Sequence, residues 1–290
     1  MPELPEVQTT VNYLNRAHLL GARFADVWLD WMGIIKKPKN FEQFRKEIKN
    51  KKIINIWRRA KNIIFDLSNN RSLLIHQKMT GHLLYGRWEK ESGRWKPVGN
   101  KALEDPYNQF LHLIFFLDND YMLALSDLRK FAKVELWETE KLKRQLEKLG
   151  PEPLDKSFTL VKFKEILKNK KGRIKDVLMN QKVIAGIGNI YASEILWQAK
   201  IHPQKEATKL KEKEIELLYR AIKEVLALGV KFEGESFSDY RKPDGTKGGF
   251  DKKREVYRRE GRECRRCRSK IKRIKISGRS TFFCPVCQKP

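Results

Sequence analysis

All four cysteines of this 290-residue chain fall in its last 27 residues, as Cys264-x2-Cys267-x16-Cys284-x2-Cys287. Two such pairs at this separation match tetrahedral coordination of one Zn²⁺ by four thiolates, each pair making one tight knuckle. Four thiolates leave no open position, so the metal is expected to be structural. A module this short buries too little to fold without it. Two disulfides or free thiols are the competing uses, disfavoured in an intracellular chain. Six Lys or Arg side chains lie between the pairs and two more, Arg265 and Arg266, within the first, and Gly278 is suited to turn a β-hairpin with Arg279 at its tip. A phosphate-gripping device is one reading of that face; a solvated basic face is the other.

The charge favours the first. Lys and Arg number 62 against 36 Asp and Glu, a net +26. Residues 241–290 hold 18 of the bases and only 5 of the acids, half the excess in about a sixth of the chain. Solubility does not require this, and a polyanionic partner, nucleic acid above all, does. The length suggests two domains with a small appendage. No signal peptide or membrane-length apolar run is apparent, so a cytoplasmic protein is expected.

The amino terminus is the other unusual stretch. Met1-Pro2-Glu3-Leu4-Pro5-Glu6 puts proline behind the initiator Met, with carboxylates one and four residues on. Met removal would expose Pro2 as a secondary amine, near-neutral in pKa and able to form a Schiff base. Glu3 and Glu6 would then stand ready for proton transfer. The same residues also make an ordinary helix start, since Pro suits the first turn and Glu the positive dipole end. Val7, Val11, Leu14 and His18 continue at helical spacing, predicting a helix from about Pro5 to Leu20 that Gly21 ends.

Between Phe24 and Trp137 the pattern is mostly short strands, predicting a sandwich or flattened barrel. A short helix is expected near Phe41–Ile48, a hairpin turn at Asp118-Asn119-Asp120, and a polar surface insertion at 89–108. The charged run 138–147 and Gly150-Pro151-Glu152-Pro153 mark a linker. Beyond it the pattern is helical: Ser157 capping 158–169, then 174–180, 190–199 and 211–228. Residues 230–250 are rich in Gly, Ser and Asp and read as a flexible loop.

One helix start stands out. Ala185-Gly186-Ile187-Gly188-Asn189-Ile190-Tyr191-Ala192-Ser193-Glu194 places two glycines before it, where backbone N–H groups can bind phosphate. No strand precedes it and the third fingerprint glycine is missing, so dinucleotide binding is disfavoured. A turn between helices that clamps a nucleic-acid phosphate fits better.

Taken in order, Pro-Glu-Leu-Pro-Glu-Val, Ala-Gly-Ile-Gly-Asn-Ile-Tyr-Ala-Ser-Glu and Gly-Arg-Ser-Thr-Phe-Phe-Cys-x-x-Cys resemble formamidopyrimidine-DNA glycosylases across nearly the whole chain. The endonuclease VIII sibling usually has Gly where Leu4 stands, so Leu4 points to the oxidised-purine branch. The resemblance implies an α+β fold of two domains. Residues 1–137 would form a catalytic β-sandwich with helices, and 138–153 a linker. Residues 154–235 would form a helix-two-turns-helix domain, 236–250 a loop over the lesion base, and 251–290 a β-hairpin zinc finger. It implies a bifunctional glycosylase and abasic-site lyase of base-excision repair. The partner would be duplex DNA with 8-oxoguanine, formamidopyrimidines or abasic sites, lying in a basic cleft between the domains. The protein would work as a monomer, nucleoid-associated in a bacterial cytoplasm, with one structural Zn²⁺ on Cys264, Cys267, Cys284 and Cys287.

By the same resemblance Pro2 is the nucleophile, Glu3 the proton donor to the opening sugar, Glu6 its support, and Lys61 a catalytic hairpin lysine. The Schiff base would lead to β- and δ-elimination. Lys175, Asn189, Tyr191 and Arg279 would serve the phosphate contacts, with His112 a further one. An attacked base must leave the stack, and Met79, Arg129 and Phe131 match the side chains that fill the void. Met79 and Phe131 as core residues, and Arg129 as a partner of Asp127, are the plainer readings. Two motifs depart from the family. Asp-Leu-Arg-Lys-Phe replaces Asp-Pro-Arg-Arg-Phe, and the usual Lys-His-Asp-His is absent beside the insertion. The loop over the base departs too, which bears on lesion preference rather than reaction type. Two rivals remain: an oxidised-pyrimidine glycosylase, and a non-catalytic damaged-DNA binder on the same scaffold.

Overall fold

The structure is a computed structural model that describes residues 1–17, 19–236 and 239–289. The chain forms two compact units, one of Met1–Glu147 with Phe232–Asp251, the other of Lys148–Lys231 with Lys252–Pro290. The first unit therefore takes back a segment from far along the chain. Nearly all of the stretch read as a loop over the base belongs to it.

The first unit opens with helix α1 (Leu4–Arg16), with Pro at its first turn and a reciprocal capping box between Glu3 and Glu6. Such a box satisfies two N–H groups that a helix start leaves orphaned. Val7, Val11 and Leu14 form its buried stripe. The helix stops at Arg16, short of the expected Leu20; His18 lies outside the described residues.

Ten strands follow, with helix α2 (Phe41–Ile48) among them. Strands β1 (Phe24–Leu29), β2 (Ile35–Lys37), β3 (Ile53–Arg59), β4 (Asn62–Leu67) and β5 (Arg71–His76) come first. Then come β6 (His82–Glu91), β7 (Arg94–Val98), β8 (Leu111–Leu117), β9 (Met122–Ser126) and β10 (Lys133–Glu138). They build two five-stranded sheets, β1-β8-β9-β6-β7 and β2-β10-β5-β4-β3. One core fills between them, with Phe24, Phe65, Ile75, Leu83, Leu113, Phe115 and Leu125 all fully buried. The fold class is thus the expected sandwich flanked by helices.

The polar stretch 89–108 is more ordered than its composition suggests. Strand β6 runs on to Glu91 and pairs with β7, and two 3₁₀ turns, Lys101–Glu104 and Pro106–Asn108, close the segment. Trp95 of β7 meets Trp28 of β1 edge-on at 5.6 Å and Phe116 of β8 at 5.7 Å. Leu84, Trp88, Leu103 and Ile114 form a second small core with them. Burial on both faces explains why β8 reads Leu-His-Leu-Ile-Phe-Phe-Leu, with little alternation. Each fully buried side chain of this size adds roughly 1.5–3 kcal/mol. Gly86 permits the approach, since a Cβ there would lie 2.5 Å from Leu103 Cδ1. Strand β7 is left at the sheet edge.

The charged run read as a linker is largely helix α3 (Thr139–Leu146), which buries Leu142 and Leu146 against β10 and β5. Two apolar residues four apart in a field of charges were enough.

The second unit holds helices α4 (Leu160–Leu167), α5 (Ile174–Met179), α6 (Asn189–Gln198) and α7 (Glu212–Lys231). Thr159, not Ser157, caps α4, accepting the Lys162 N–H at 3.3 Å. Helix α7 runs through Gly229 instead of stopping there. A glycine inside a helix costs about 1 kcal/mol relative to alanine, yet Gly229 stays helical and buried in the last turn. The chain ends in the hairpin of β11 (Lys272–Ile276) and β12 (Arg279–Phe283).

Candidate active site

The start of α1 is buried. Pro2 is covered, and Glu3 and Glu6 are 2% and 1% exposed. The Glu3 N–H donates to Glu6 Oε2 at 2.7 Å, and the Glu235 N–H donates to Glu6 Oε1 at 2.8 Å. Tyr240 and Thr10 both donate hydroxyl protons to the Glu6 carbonyl, at 2.9 and 3.0 Å. Glu6 thus ties the helix start to the returning segment, with both carboxylate oxygens engaged by backbone N–H groups.

Lys61 occupies the two-residue turn between β3 and β4, where Ala60 takes φ +53°. Arg58 fixes this turn, donating from Nε to Gln8 Oε1 of α1 and from Nη1 to the Ala60 carbonyl, both at 2.9 Å. That bond brings Lys61, itself buried, to the helix start. Burial holds the α-amine of Met1 below its ordinary range. Glu3, Glu6 and Asp239 pull it up, and the Lys61 charge pushes it down. Pro2, Glu3, Glu6 and Lys61 are therefore gathered at one place. Near Lys61, His76 accepts the Lys78 N–H at Nδ1, and burial drives its imidazole down to about 3. Sequence reasoning passed over His76, because a lone histidine at a strand end carries no motif.

Met79, Arg129 and Phe131 sit on two adjoining loops. Met79 is 37% exposed and Phe131 51%, so neither is a core residue. The Arg129 guanidinium stacks over the Phe131 ring at 4.5 Å. Its expected pairing with Asp127 is made by backbone instead. Buried Asp127 accepts the Arg129 and Ala132 N–H groups at 3.3 and 2.7 Å, and the Thr80 hydroxyl from the Met79 loop. One carboxylate thereby sets both loops. His112 is mostly buried, its Nδ1 2.8 Å from Asp30 Oδ1.

In the second unit Gln181 staples the glycine turn. It accepts the Gly186 N–H at 2.8 Å and donates to the carbonyls of Met179 and Ile187. Gly186 has φ +86°, which favours glycine, and Gly188 caps α6. Asn189, first in α6, accepts from Lys175 Nζ at 2.6 Å and donates to the Ser280 carbonyl of β12 at 3.0 Å. Lys175 Nζ also reaches Thr281 Oγ1 at 2.5 Å. Arg279 stands exposed beside them, after Gly278 with φ +77°. Tyr191 is different: its side chain is fully buried and fills the interior of the helical unit.

The four cysteine sulfurs lie within 4.8 Å of one another, with Cys267 and Cys284 at 3.4 Å and Cys264 and Cys287 at 4.0 Å. Tetrahedral Zn–S bonds of about 2.3 Å put sulfurs about 3.8 Å apart, so the donor set fits one structural zinc. Trp197 Nε1 donates to Cys264 Sγ at 3.4 Å. The Glu194 carboxylate of α6 accepts three N–H groups, from Glu255, Val256 and Tyr257, at 2.7–3.1 Å. Burial raises its pKa against those three donors. Sequence reasoning missed this tie as well.

A helical unit with a four-cysteine hairpin, and a sandwich with a buried, carboxylate-flanked amino terminus, each match a known family description. Residues 149–241 match the formamidopyrimidine-DNA glycosylase H2TH domain, and 261–290 match the zinc finger found in FPG and IleRS. Residues 1–134 match the formamidopyrimidine-DNA glycosylase N-terminal domain. The formamidopyrimidine-DNA glycosylase of Pelotomaculum thermopropionicum is 38% identical over 100% of this chain and 99% of its own. That of Heliobacterium modesticaldum is also 38% identical, over 100% of both. Among solved structures, a mutant Lactococcus lactis FPG on DNA containing Fapy-dG superposes with a TM-score of 0.87 at 34% identity, over 100% of both chains. The Lactococcus lactis protein on DNA with an abasic site gives 0.86 at 34% identity, over 99% of this chain and 100% of that one. The chain belongs to the formamidopyrimidine-DNA glycosylase family.

Proposed function

We propose that the protein removes oxidised purines from duplex DNA and cleaves the strand at the resulting abasic site. The observation that carries this is the gathering of the chain's amino terminus, Glu3 and Lys61 at the buried start of α1. A proline amine held there, once Met1 is removed, has its lone pair free near neutral pH. Its nitrogen attacks C1′, the bond from C1′ to the base breaks, and the base leaves with the proton that the proline nitrogen gives up. Glu3 supplies a proton as the sugar ring opens, leaving an iminium between Pro2 and C1′. Loss of a C2′ proton then expels the 3′ phosphate, and a second elimination expels the 5′ phosphate. Lys61 is the basic group at hand for these transfers.

Met79, Arg129 and Phe131, exposed and held on paired loops, suit filling the void left by an everted base. Segment 236–250 is our candidate for the cover over that base. In the other unit, Lys175, Asn189 and Arg279 form the phosphate grip. Tyr191 enters through its backbone, and His112 serves a phosphate through the ring nitrogen that does not face Asp30. The working form is a monomer on cytoplasmic DNA. Among the described residues no helix is long and apolar enough to cross a membrane.

Borohydride reduction tests the chemistry. Met-processed protein is expected to become covalently attached to 8-oxoguanine duplex, and Pro2→Gly to lose most of that trapping. Full trapping by Pro2→Gly, or none by the parent, would overturn the assignment.

A further inference from the structure

Residues 100–108 close the polar insertion and take no part in the proposed chemistry, yet they hold three other segments at once. On one side, Asn108 Oδ1 lies 3.0 Å from His82 Nε2, and His82 stands three residues beyond Met79. On a second side, Ser126 donates its hydroxyl to the Tyr107 carbonyl at 2.9 Å. The Asp127 N–H donates to the carbonyl of Phe110, just past this stretch, at 2.8 Å. Asp127 is the residue that sets the Arg129–Phe131 loop. On a third side lies the returning segment. Asn100 Nδ2 donates to the Asp244 carbonyl at 3.1 Å, and Asn108 Nδ2 to the Gly245 carbonyl at 3.3 Å. Arg241, only 2% exposed, places Nε 3.0 Å from Asp105 Oδ2 and its guanidinium 4.7 Å over the Tyr107 ring. The fit is close: a Cβ on Gly245 would lie 2.5 Å from the Ala102 carbonyl oxygen.

We propose that residues 100–108 are a positioning strut, coupling the two void-filling loops to the segment that covers the everted base. This rests on the reading of those loops and that segment given above. Asn108 is the hub, buried, with its amide shared between His82, Ala102 and Gly245. A buried amide shared in this way leaves unpaired partners behind if removed, and packed arrangements of this kind shift as units. Entry of Met79, Arg129 and Phe131 into the duplex and closure over the base would then be one movement. The strut discriminates between substrates. A damaged base needs both parts, and an abasic site, with no base to cover, needs only the first.

The test compares base excision with abasic-site cleavage in single-turnover reactions of the full chain, for Asp105→Asn and Asn108→Ala. Hydrogen exchange of residues 239–246 is followed in the same variants without DNA. Excision of 8-oxoguanine is expected to fall about tenfold, the loss from one buried hydrogen bond. Abasic-site cleavage stays within about twofold, and exchange in 239–246 speeds up by about tenfold. Asp105→Glu should recover much of the loss. Equal losses in both reactions, or unchanged exchange, would overturn the strut. Should Asn108→Ala fail to fold, the Asp105 variants, at a partly exposed position, decide alone. If the parent excises no base, the functional reading fails, while the exchange measurement still decides whether the strut holds the segment.

Discussion

Glu6 and Glu235, 229 positions apart in the chain, are joined by one hydrogen bond of 2.8 Å from backbone N–H to carboxylate. With the Tyr240 hydroxyl on the Glu6 carbonyl, it ties the helix that starts the chain to the segment that returns to it. Glu6→Gln substitutes an amide that cannot accept from Glu3 and Glu235 together. The expected cost is about 1–3 kcal/mol, for a buried N–H left unsatisfied, together with slower base excision. A thermal melt unchanged from the parent would count against it.

The amine at the chain start should act at lower pH than a free terminus. Its attack needs the unprotonated form, so the rate rises with pH through the amine pKa. Burial lowers that pKa from the ordinary 8.0 for the terminus at Met1, and the same surroundings act on Pro2. Borohydride trapping against pH is expected to inflect below the pKa of a free amino terminus. Removing the Lys61 charge, as in Lys61→Met, should move the inflection upward. A shift the other way would separate Lys61 from the amine.

His82 makes the fold acid-sensitive. Burial lowers its imidazole from 6.5 to about 4, partly opposed by the bond to Asn108. The unfolded chain then binds the extra proton first. Stability is full above pH 6.5 and declines as pH falls toward 4, by at most about 3 kcal/mol from this residue. Urea unfolding at pH 7, 5.5 and 4.5 measures it. His82→Gln should lessen the dependence, leaving the share that buried His76 contributes by the same sign, and an equally steep profile would assign the effect elsewhere.

Zinc should hold more than its own knuckles. Chelation, or Cys284→Ser, is expected to release the metal and unseat Trp197, whose ring also carries Arg266 at 3.9 Å. Zinc content and tryptophan fluorescence should change together, with loss of DNA binding. Structural zinc sites contribute on the order of 10 kcal/mol or more to small modules. Retention of DNA affinity without zinc would show that the hairpin holds its form alone.

Arg279 offers a phosphate contact that can be counted. Arg279→Ala should weaken binding to lesion and undamaged duplex alike, and lower the slope of log K against log salt by about 0.9. An unchanged slope would mean that this side chain meets no phosphate.

What was legible in the sequence was what is local. The cysteine spacing, Gly278, the glycines before Asn189 and the Pro-Glu start each act within a few residues. Their geometry follows from backbone preference and ligand chemistry. The sandwich was legible through strand periodicity. What escaped was long-range or marginal. Leu142 and Leu146 are too few to outvote the charges around them, so α3 read as a linker. Thr159 and Ser157 are both good caps, and which one wins depends on where Phe163 and Leu167 are buried. Gly229 is a stop signal only if the helix has nothing to pack against. Asn108 and Glu194 bind backbone groups of distant segments, a role with no periodic signature. The insertion misled for a related reason, because its polar residues flank Trp95 and Leu103, and those two decide its place.

Strand β7 has a consequence outside repair itself. It leaves a row of backbone groups open at the sheet edge, the usual template for one chain to add to another. Here Arg94 and Lys96 point outward and Pro97 lacks an N–H. At the far edge of the other sheet, β3 pairs on one side only and ends in Arg58 and Arg59. Molecules crowded along one stretch of DNA, where phosphates neutralise much of their mutual repulsion, would still meet at edges that resist pairing. Basic side chains and a proline at these edges thus work against one copy adding its strand to another.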